Sequence, residues 1–219
     1  MAAELPASPA APAAALRALG FLQTPGLAWG RWFDAAAQRR ALTPPVPPRA
    51  AKAPAAPAGP YRGIVRRLLE KPTRNRYDAV IRRESAARGL DPRLVKSVIA
   101  AESEFTARAR SRAGALGLMQ LMPETADSVG VPRRRLFDPA ANIRAGTRYL
   151  ASLFREAWRR YRLGSLPFRR GPRWVVRRVL AAYNAGPRWV AGRPLYRQTR
   201  LYVAKVLAFY RSALSDLRG

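Results

Sequence analysis

The stretch Asp91-Pro-Arg-Leu-Val-Lys-Ser-Val-Ile-Ala-Ala-Glu-Ser-Glu-Phe105 has the pattern of a helix followed by a stop. An Asp-Pro pair supplies an N-cap side chain and a first-turn residue that needs no hydrogen-bond partner. A helix is therefore predicted to begin at this pair and to run through Ser103, with its apolar residues recurring at three- and four-residue intervals.

Glu102 lies three, four and seven residues after Ile99, Val98 and Val95, so the helical period places this carboxyl on the apolar stripe. Burial and the negative end of the helix dipole both disfavour a charged carboxyl, which predicts a raised pKa. A glutamic acid that stays protonated near neutral pH can donate a proton to a leaving group. The alternative is a glutamate at a frayed helix end that turns to solvent, and periodicity alone favours this alternative.

Cysteine and histidine are absent from all 219 residues. Their absence excludes cysteine nucleophiles, Ser-His-Asp triads, Cys or His zinc sites and histidine acid–base catalysis. Any catalysis must rest on carboxylates, Lys, Tyr or Ser, and only 13 acidic residues remain to be considered. We expect no metal and no cofactor.

The chain carries 41 Lys and Arg residues against 13 acidic ones, a formal charge of +28. A field of that size attracts polyanions, which predicts an anionic partner. The alternative is an arginine-rich composition whose side chains are simply solvated. No specific nucleic acid is predicted, because the arginines are scattered and no interleaved aromatic-basic module is present.

The chain divides into an Ala/Pro-rich region over 1–60, a lead-in segment over 61–76 and a domain over 77–215. The first region is predicted to be mostly disordered linker, within which Leu16–Leu42 is read as a short anchor helix or, preferably, as a loosely packed tail. No signal peptide is legible at Met1–Pro6, and no apolar run approaches the roughly 20 residues that span a bilayer. We expect a monomer with one core.

In the domain, Asp-Pro pairs mark the predicted starts of helices and glycines mark their predicted ends. Besides the helix from Asp91, the predicted helices are Tyr77–Arg88, one that opens at Asp138-Pro139, Val175–Asn184 and Leu201–Leu214. Tyr149 and Tyr202 fall on their apolar faces. Without alternating strands, the fold class is all-α or nearly all-α.

Between these helices, the run from Ser111 to Ala126 sets Gly114 and Gly117 against apolar residues and then a proline-started helix, so backbone there can approach a ligand closely. Gln120 is the lone amide in this run. It is read either as a ligand-binding group or as a cap for backbone groups in a turn, whereas Met119 is assigned to the core.

Four motifs, in this order, resemble the soluble lytic transglycosylase domain family, which is goose-type lysozyme-like. They are Glu102-Ser103, Ser111 to Pro123, Asn142 to Leu150 and Ala181 to Pro187. The resemblance covers about Tyr77 to Tyr210. It implies a lysozyme-like helical domain with a saccharide groove.

The resemblance places the family's catalytic acid at Glu102. It also implies sugar-contacting positions in the groove at five residues: Ser111, Gln120, Met122, Tyr183 and Asn184. Core packing of Met122 and Tyr183 and helix C-capping by Asn184 remain open alternatives.

Two features depart from the family. Gln198 stands where members usually have a glutamate, so an acidic wall contact is lost. The Arg-rich stretch 159–171 is longer than the usual loop, and it either contacts anionic polymer or is solvated.

No second carboxylate has the place that an ordinary glycosidase requires. Asp91 and Asp138 are interpreted as caps, Glu124 as a first-turn dipole partner, and Glu104 points elsewhere on its helix. The resemblance implies one acid that cleaves the bond between N-acetylmuramic acid and N-acetylglucosamine, leaving a 1,6-anhydro product.

This activity would act on peptidoglycan glycan strands in the cell envelope or periplasm, with other anionic envelope polymers as partners of the Arg-rich surface. The alternatives are a hydrolytic muramidase, an inactive wall-binding relative, and a basic, non-catalytic binder of cell wall or nucleic acid.

Overall fold

The computed structural model describes residues 60–192 and 194–217. The α-helices in these ranges are α1 (Arg62–Leu69), α2 (Asp78–Ala86), α3 (Pro92–Ser103), α4 (Pro123–Ser128), α5 (Pro139–Arg160), α6 (Arg173–Ala185) and α7 (Arg197–Tyr210). These residues form no β-strand, only isolated bridges within the loop before α4. The predicted helical fold class is confirmed, whereas the interpretation of Leu16–Leu42 lies outside the described residues.

Helix α3 passes through the middle of the domain. The Asp91 carboxylate accepts a hydrogen bond of 2.9 Å from the Arg93 N–H, which confirms the predicted cap. Every residue from Leu94 to Ala101 is buried, and α2 and α7 pack against this helix. Its last residue is Ser103, as predicted, because Glu104 adopts the left-handed conformation, with φ 51°.

The remaining long helices pack against α2, α7 and one another. Helix α5 begins after Asp138, whose carboxylate accepts a 2.8 Å hydrogen bond from the Ala141 N–H, as the capping interpretation predicts. It packs against α2 and α6, and α6 packs against α7. No helix within the described ranges has the length and hydropathy to cross a membrane.

Helix α7 differs from its prediction at both ends. It begins at Arg197 rather than Leu201 and ends at Tyr210 rather than Leu214. The earlier end has a local cause: the Ser212 hydroxyl accepts a hydrogen bond from the Leu214 N–H and turns the chain into a short 3₁₀ segment. Such side-chain competition for backbone groups commonly ends a helix.

The lead-in segment folds onto the rest of the domain through α1. The Tyr61 hydroxyl donates to the Leu201 carbonyl at 3.0 Å, and its ring meets Phe209 edge-on with centroids 6.4 Å apart. Leu68 is buried in the core. Residues 61–69 therefore contribute contacts to α7 that the sequence pattern does not reveal.

The loop between α3 and α4 is held by the side chain of Asn142. Its Oδ1 accepts from the Met119 N–H at 2.8 Å, and its Nδ2 donates to the carbonyls of Leu116 and Leu136 at 3.0 and 2.9 Å. Met119 is fully buried, which confirms its assignment to the core. The amide thus satisfies three backbone groups that would otherwise be buried without partners.

Gly117 lies where this loop passes Asn142. Its φ is +77°, and an added Cβ would lie 2.2 Å from the Asn142 Nδ2 and 2.3 Å from the Leu136 carbonyl oxygen. We expect Gly117→Ala to lower the free energy of unfolding by about 3 kcal/mol or more, because it combines backbone strain with displacement of the Asn142 network. Chemical denaturation measures this loss.

Gly114→Ala is the matched control, since Gly114 also has a positive φ, +94°, but a Cβ there meets nothing within 4 Å. It should cost only the backbone strain, about 1 kcal/mol. Equal losses in the two variants would show that the Asn142 contact contributes nothing.

Candidate active site

Glu102 lies in the last turn of α3, between the buried residues Ala101 and Ser103. Tyr183 of α6 and Tyr202 and Lys205 of α7 lie close enough to its carboxyl to interact with it electrostatically, and the residue as a whole is partly exposed. Burial raises the pKa of Glu102 to about 7, against the smaller lowering effects of Tyr202 and Lys205. The carboxyl is therefore poised between its acid and base forms near neutral pH.

The Tyr202 hydroxyl is buried beside this carboxyl. It forms no hydrogen bond of good geometry in the structure, yet it is close enough to Glu102 for each group to shift the pKa of the other. Burial, followed by the Glu102 charge, raises the pKa of Tyr202 well above its ordinary value. The phenol thus remains protonated, and its proximity favours the charged form of the Glu102 carboxyl.

Lys205 lies one turn after Tyr202 on α7. Its Nζ donates to the Ala101 carbonyl at 2.7 Å, so the ammonium group is fixed at the negative end of α3, one residue before Glu102. Its positive charge lowers the pKa of the Glu102 carboxyl. Because burial is the larger effect, the pKa remains raised.

Tyr183 approaches the same carboxyl from α6. Its hydroxyl donates to the Met119 carbonyl at 2.8 Å, and its ring lies against Tyr149 of α5 with centroids 5.4 Å apart. Burial, followed by the Glu102 charge, raises the pKa of Tyr183 well above its ordinary value. Tyr183 therefore packs in the core and lies within electrostatic range of Glu102, which leaves its sugar contact as a prediction.

Ser103 joins the end of α3 to the loop before α4. Its hydroxyl is 2.7 Å from the Leu118 carbonyl and 3.2 Å from the Ile99 carbonyl. The residue that follows Glu102 is thereby fixed relative to the glycine-containing loop.

Two predicted sugar-contacting residues make hydrogen bonds within that loop. The Ser111 hydroxyl accepts from the Ala115 N–H at 3.0 Å. The Gln120 Nε2 donates to the carbonyls of Gly117 and Ala109 at 2.8 and 3.2 Å, so the backbone-capping interpretation of Gln120 is the one the structure displays. Contact of either residue with sugar stays a prediction.

The other two predicted contacts lie at the surface. Met122 precedes α4 with 37% of its area exposed, which argues against core packing. Asn184 is exposed and does not cap α6, because the Gly186 N–H closes that helix on the Ala182 carbonyl. Both side chains are free of these structural roles, and their contact with a ligand stays a prediction.

Glu104 and Glu124 are not predicted to serve as a second catalytic carboxylate. The Glu104 carboxylate pairs with Arg67 at 2.8 Å, while the Glu104 carbonyl accepts from the Lys71 Nζ at 2.6 Å. Glu124 lies in the first turn of α4, as predicted. Across 60–192 and 194–217, no group of three or more acidic side chains could hold a metal ion.

Sequence reasoning missed the roles of Tyr202, Lys205 and Tyr149. The two tyrosines read as apolar-face residues because a phenol ring fits a helical stripe as well as leucine does. The Tyr202–Lys205 spacing places both on one face of α7, and Gln198 lies one turn earlier on that helix. That spacing was the available signal, but only the tertiary structure brings Glu102 to this face.

A buried carboxyl beside phenol groups defines a site that can donate and accept a proton. The transglycosylase SLT domain family matches residues 79–200, more than half of the chain. The chain therefore belongs to the transglycosylase SLT domain family.

A transglycosylase of Enterobacteria phage PRD1 is 49% identical over 77 residues, which are 35% of this chain and 27% of the phage protein. An inactive glutamate-to-glutamine variant of the lytic transglycosylase Slt from Pseudomonas aeruginosa is 32% identical, with TM-score 0.48, over 64% of this chain and 24% of that one. The 70 kDa soluble lytic transglycosylase of Escherichia coli is 26% identical, with TM-score 0.47, over 61% of this chain and 23% of the Escherichia coli protein. The chain thus spans about a quarter of the length of these relatives.

Removing the Tyr202 hydroxyl should raise the pKa of Glu102 further, because Tyr202→Phe keeps the burial and deletes the hydroxyl whose proximity favours the carboxylate. The pH dependence of the protonated-carboxyl infrared band measures this shift. Tyr149→Phe, which removes the phenol that packs against Tyr183, should leave the band's midpoint unchanged. A midpoint that is the same in wild type and Tyr202→Phe would contradict the assigned interaction.

The raised pKa also has a cost in stability. Folded Glu102 holds its proton more tightly than the unfolded chain does, so the stability it contributes at low pH is lost as pH rises from about 4.5 to about 7. We expect Glu102→Gln to unfold at a higher temperature than wild type at pH 8 and at a similar one at pH 5. The difference should be about 1 to 3 kcal/mol in free energy.

The surface variant Glu124→Gln should show no such divergence between the two pH values, since Glu124 is exposed. Parallel stability curves for wild type and Glu102→Gln would show that the buried carboxyl is not destabilising.

Proposed function

We propose that this protein is a lytic transglycosylase that cleaves peptidoglycan between N-acetylmuramic acid and N-acetylglucosamine, with Glu102 as its one catalytic residue. The observation that carries the proposal is a lone carboxyl with a pKa of about 7 at the end of α3 in a member of the transglycosylase SLT domain family. A proton donor of this kind suits the cleavage of a glycosidic bond.

The first half of the reaction needs an acid. Protonated Glu102 gives its proton to the oxygen between the two sugars, and the bond from that oxygen to C1 of the muramic acid breaks. The leaving sugar departs with a new hydroxyl group, and positive charge develops at C1. The Glu102 carboxylate that remains stabilises this charge.

The second half needs a base. The C6 hydroxyl of the same muramic acid attacks C1, and its proton passes to the Glu102 carboxylate, which restores the starting acid. The new bond closes the 1,6-anhydro ring, and no water is consumed. An attacking group already held in the substrate has a high effective molarity, so a second carboxylate is unnecessary.

A residue that serves in both protonation states works best when neither is strongly favoured. Burial favours the acid form of Glu102, while Tyr202 and Lys205 favour the carboxylate. Their opposition brings the pKa near the pH at which both half-reactions must run. Tyr202 and Lys205 are therefore positioning residues in this proposal.

The glycan strand would lie over the exposed side of Glu102. Ser111, Gln120 and Met122 would border it on the loop side, and Tyr183 with Asn184 on the α6 side. This arrangement supports peptidoglycan strands as the partner and the cell envelope or periplasm as the place of action. A monomer is sufficient, because every residue invoked belongs to one chain.

Glu102→Gln should reduce the release of soluble muropeptides from purified peptidoglycan by at least about a thousandfold, since the amide can neither donate nor accept the proton. Glu104→Gln is the matched control two residues away. It removes only a largely exposed ion pair with Arg67 and should retain activity within about twofold. Full activity in Glu102→Gln, with an unchanged fold by circular dichroism, would exclude the proposed catalytic residue.

The released fragments should end in 1,6-anhydro-muramic acid, because the attack is intramolecular. Mass spectrometry distinguishes these ends from reducing ends by the mass of one water. Products with reducing ends alone would instead identify a hydrolytic muramidase that uses the same glutamic acid.

A further inference from the structure

Positive charge is unevenly distributed along the domain. Between Asp138 and Asp216 the chain has a single carboxylate residue, Glu156, against 17 arginines and lysines. The stretch from residue 60 to Asp138 also has 17 basic residues but carries nine acidic ones. The half of the domain that contains α5, α6 and α7 therefore has very little charge compensation of its own.

The Arg-rich insertion in this half is firmly held to the domain. The Trp158 Nε1 donates to the Leu166 carbonyl at 2.5 Å. The Phe168 ring stacks on Phe154 and meets Trp158 edge-on, with centroids 5.1 Å apart in both pairs. Gly171 lies so close to Trp158 that an added Cβ would come within 2.1 Å of the indole ring.

The insertion and the parts of α5 and α6 next to it in the chain carry a set of solvent-exposed arginines, here called the arginine platform. Its members are exposed, and within residues 60–192 and 194–217 they form no ion pair or side-chain hydrogen bond: Arg155, Arg162, Arg169, Arg170, Arg173 and Arg177. Arg169 and Arg170 also line a hollow with Pro167. The lone acid nearby, Glu156, pairs with Arg159, which is outside the platform.

We propose that the arginine platform is a binding surface for a phosphate-bearing linear polymer of the cell envelope, separate from the site around Glu102. Guanidinium groups bind phosphate in bidentate geometry, and like charges that lack acidic partners are stabilised by a polyanion. Arg173 and Tyr183 are ten residues apart on α6, about 15 Å by the rise of a helix. Arg173, the platform residue at the start of this helix, is therefore well separated along the helix axis from the end that contributes Tyr183 to the catalytic site.

The aromatic residues argue against nucleic acid as the occupant. Single-stranded nucleic acid is usually bound by aromatic rings on which bases stack. Here the rings of Phe154, Trp158 and Phe168 pack on one another instead. A polymer recognised through its charge alone fits this surface better. The choice of an envelope polymer, rather than another phosphate polymer, rests on the proposed function.

The test is binding of the full chain to inorganic polyphosphate, measured by calorimetry over a range of salt concentrations. Wild type should bind with an affinity that falls steeply as salt rises. The double variant Arg169→Gln with Arg170→Gln should bind about tenfold more weakly at low salt. The slope of its log affinity against log salt concentration should be shallower than that of wild type by about one to two. Both side chains are exposed, so the variant should fold normally.

The matched control is Arg62→Gln with Arg66→Gln, which removes two exposed arginines from α1. It should lose less than about twofold in affinity, and an equal loss in both double variants would show diffuse attraction to net charge instead of a surface.

No binding to polyphosphate, or tighter binding of mixed-sequence duplex DNA or polyglutamate at equal charge, would overturn the proposal. Muropeptide release by the same variants, assayed on peptidoglycan stripped of phosphate polymers, should match wild type, so failure of the platform and failure of the catalytic proposal are distinguishable.

Discussion

Burial of the Glu102 carboxyl at the end of α3 is the constraint around which the rest of the domain is arranged. Helix α3 is buried over nearly its whole length, so its last turn can reach solvent only where the surrounding helices leave an opening. The left-handed Glu104 ends the helix at Ser103, one residue after Glu102, and the Ser103 hydroxyl joins the helix end to the following loop. Burial of the carboxyl at this position raises its pKa. Glu102 as a whole nevertheless keeps part of its surface exposed.

The surrounding contacts limit what this burial costs. An isolated buried carboxylate would be strongly unfavourable, and the usual response is a shift in pKa. Helix α7 supplies a phenol at Tyr202 and an ammonium group at Lys205, the latter fixed by the Ala101 carbonyl. Both favour the charged form, but less than burial disfavours it. The arrangement sacrifices stability above neutral pH and gains a group that can both donate and accept a proton.

The sequence predicted local features better than tertiary ones. The caps Asp91 and Asp138 were predictable because each is a short-range hydrogen bond to backbone two or three residues away. Glu102 was recognisable from its periodicity only together with the motifs that follow it. Tyr202 was not, since its function depends on a contact 100 residues distant in the chain. The contacts of Tyr61 with α7 were missed for the same reason, and the sugar contacts of Ser111, Gln120, Met122, Tyr183 and Asn184 stay predictions.

The most direct test of this account is a titration of the Glu102 carboxyl in the wild-type protein, followed by carbon NMR of glutamate labelled at the side-chain carboxyl and assigned with Glu102→Gln. The account predicts a midpoint near pH 7, where burial outweighs the tyrosine and the lysine. A midpoint near 4.5, the ordinary value for glutamate, would contradict it. The carboxyl would then be charged at neutral pH and could not serve as the acid.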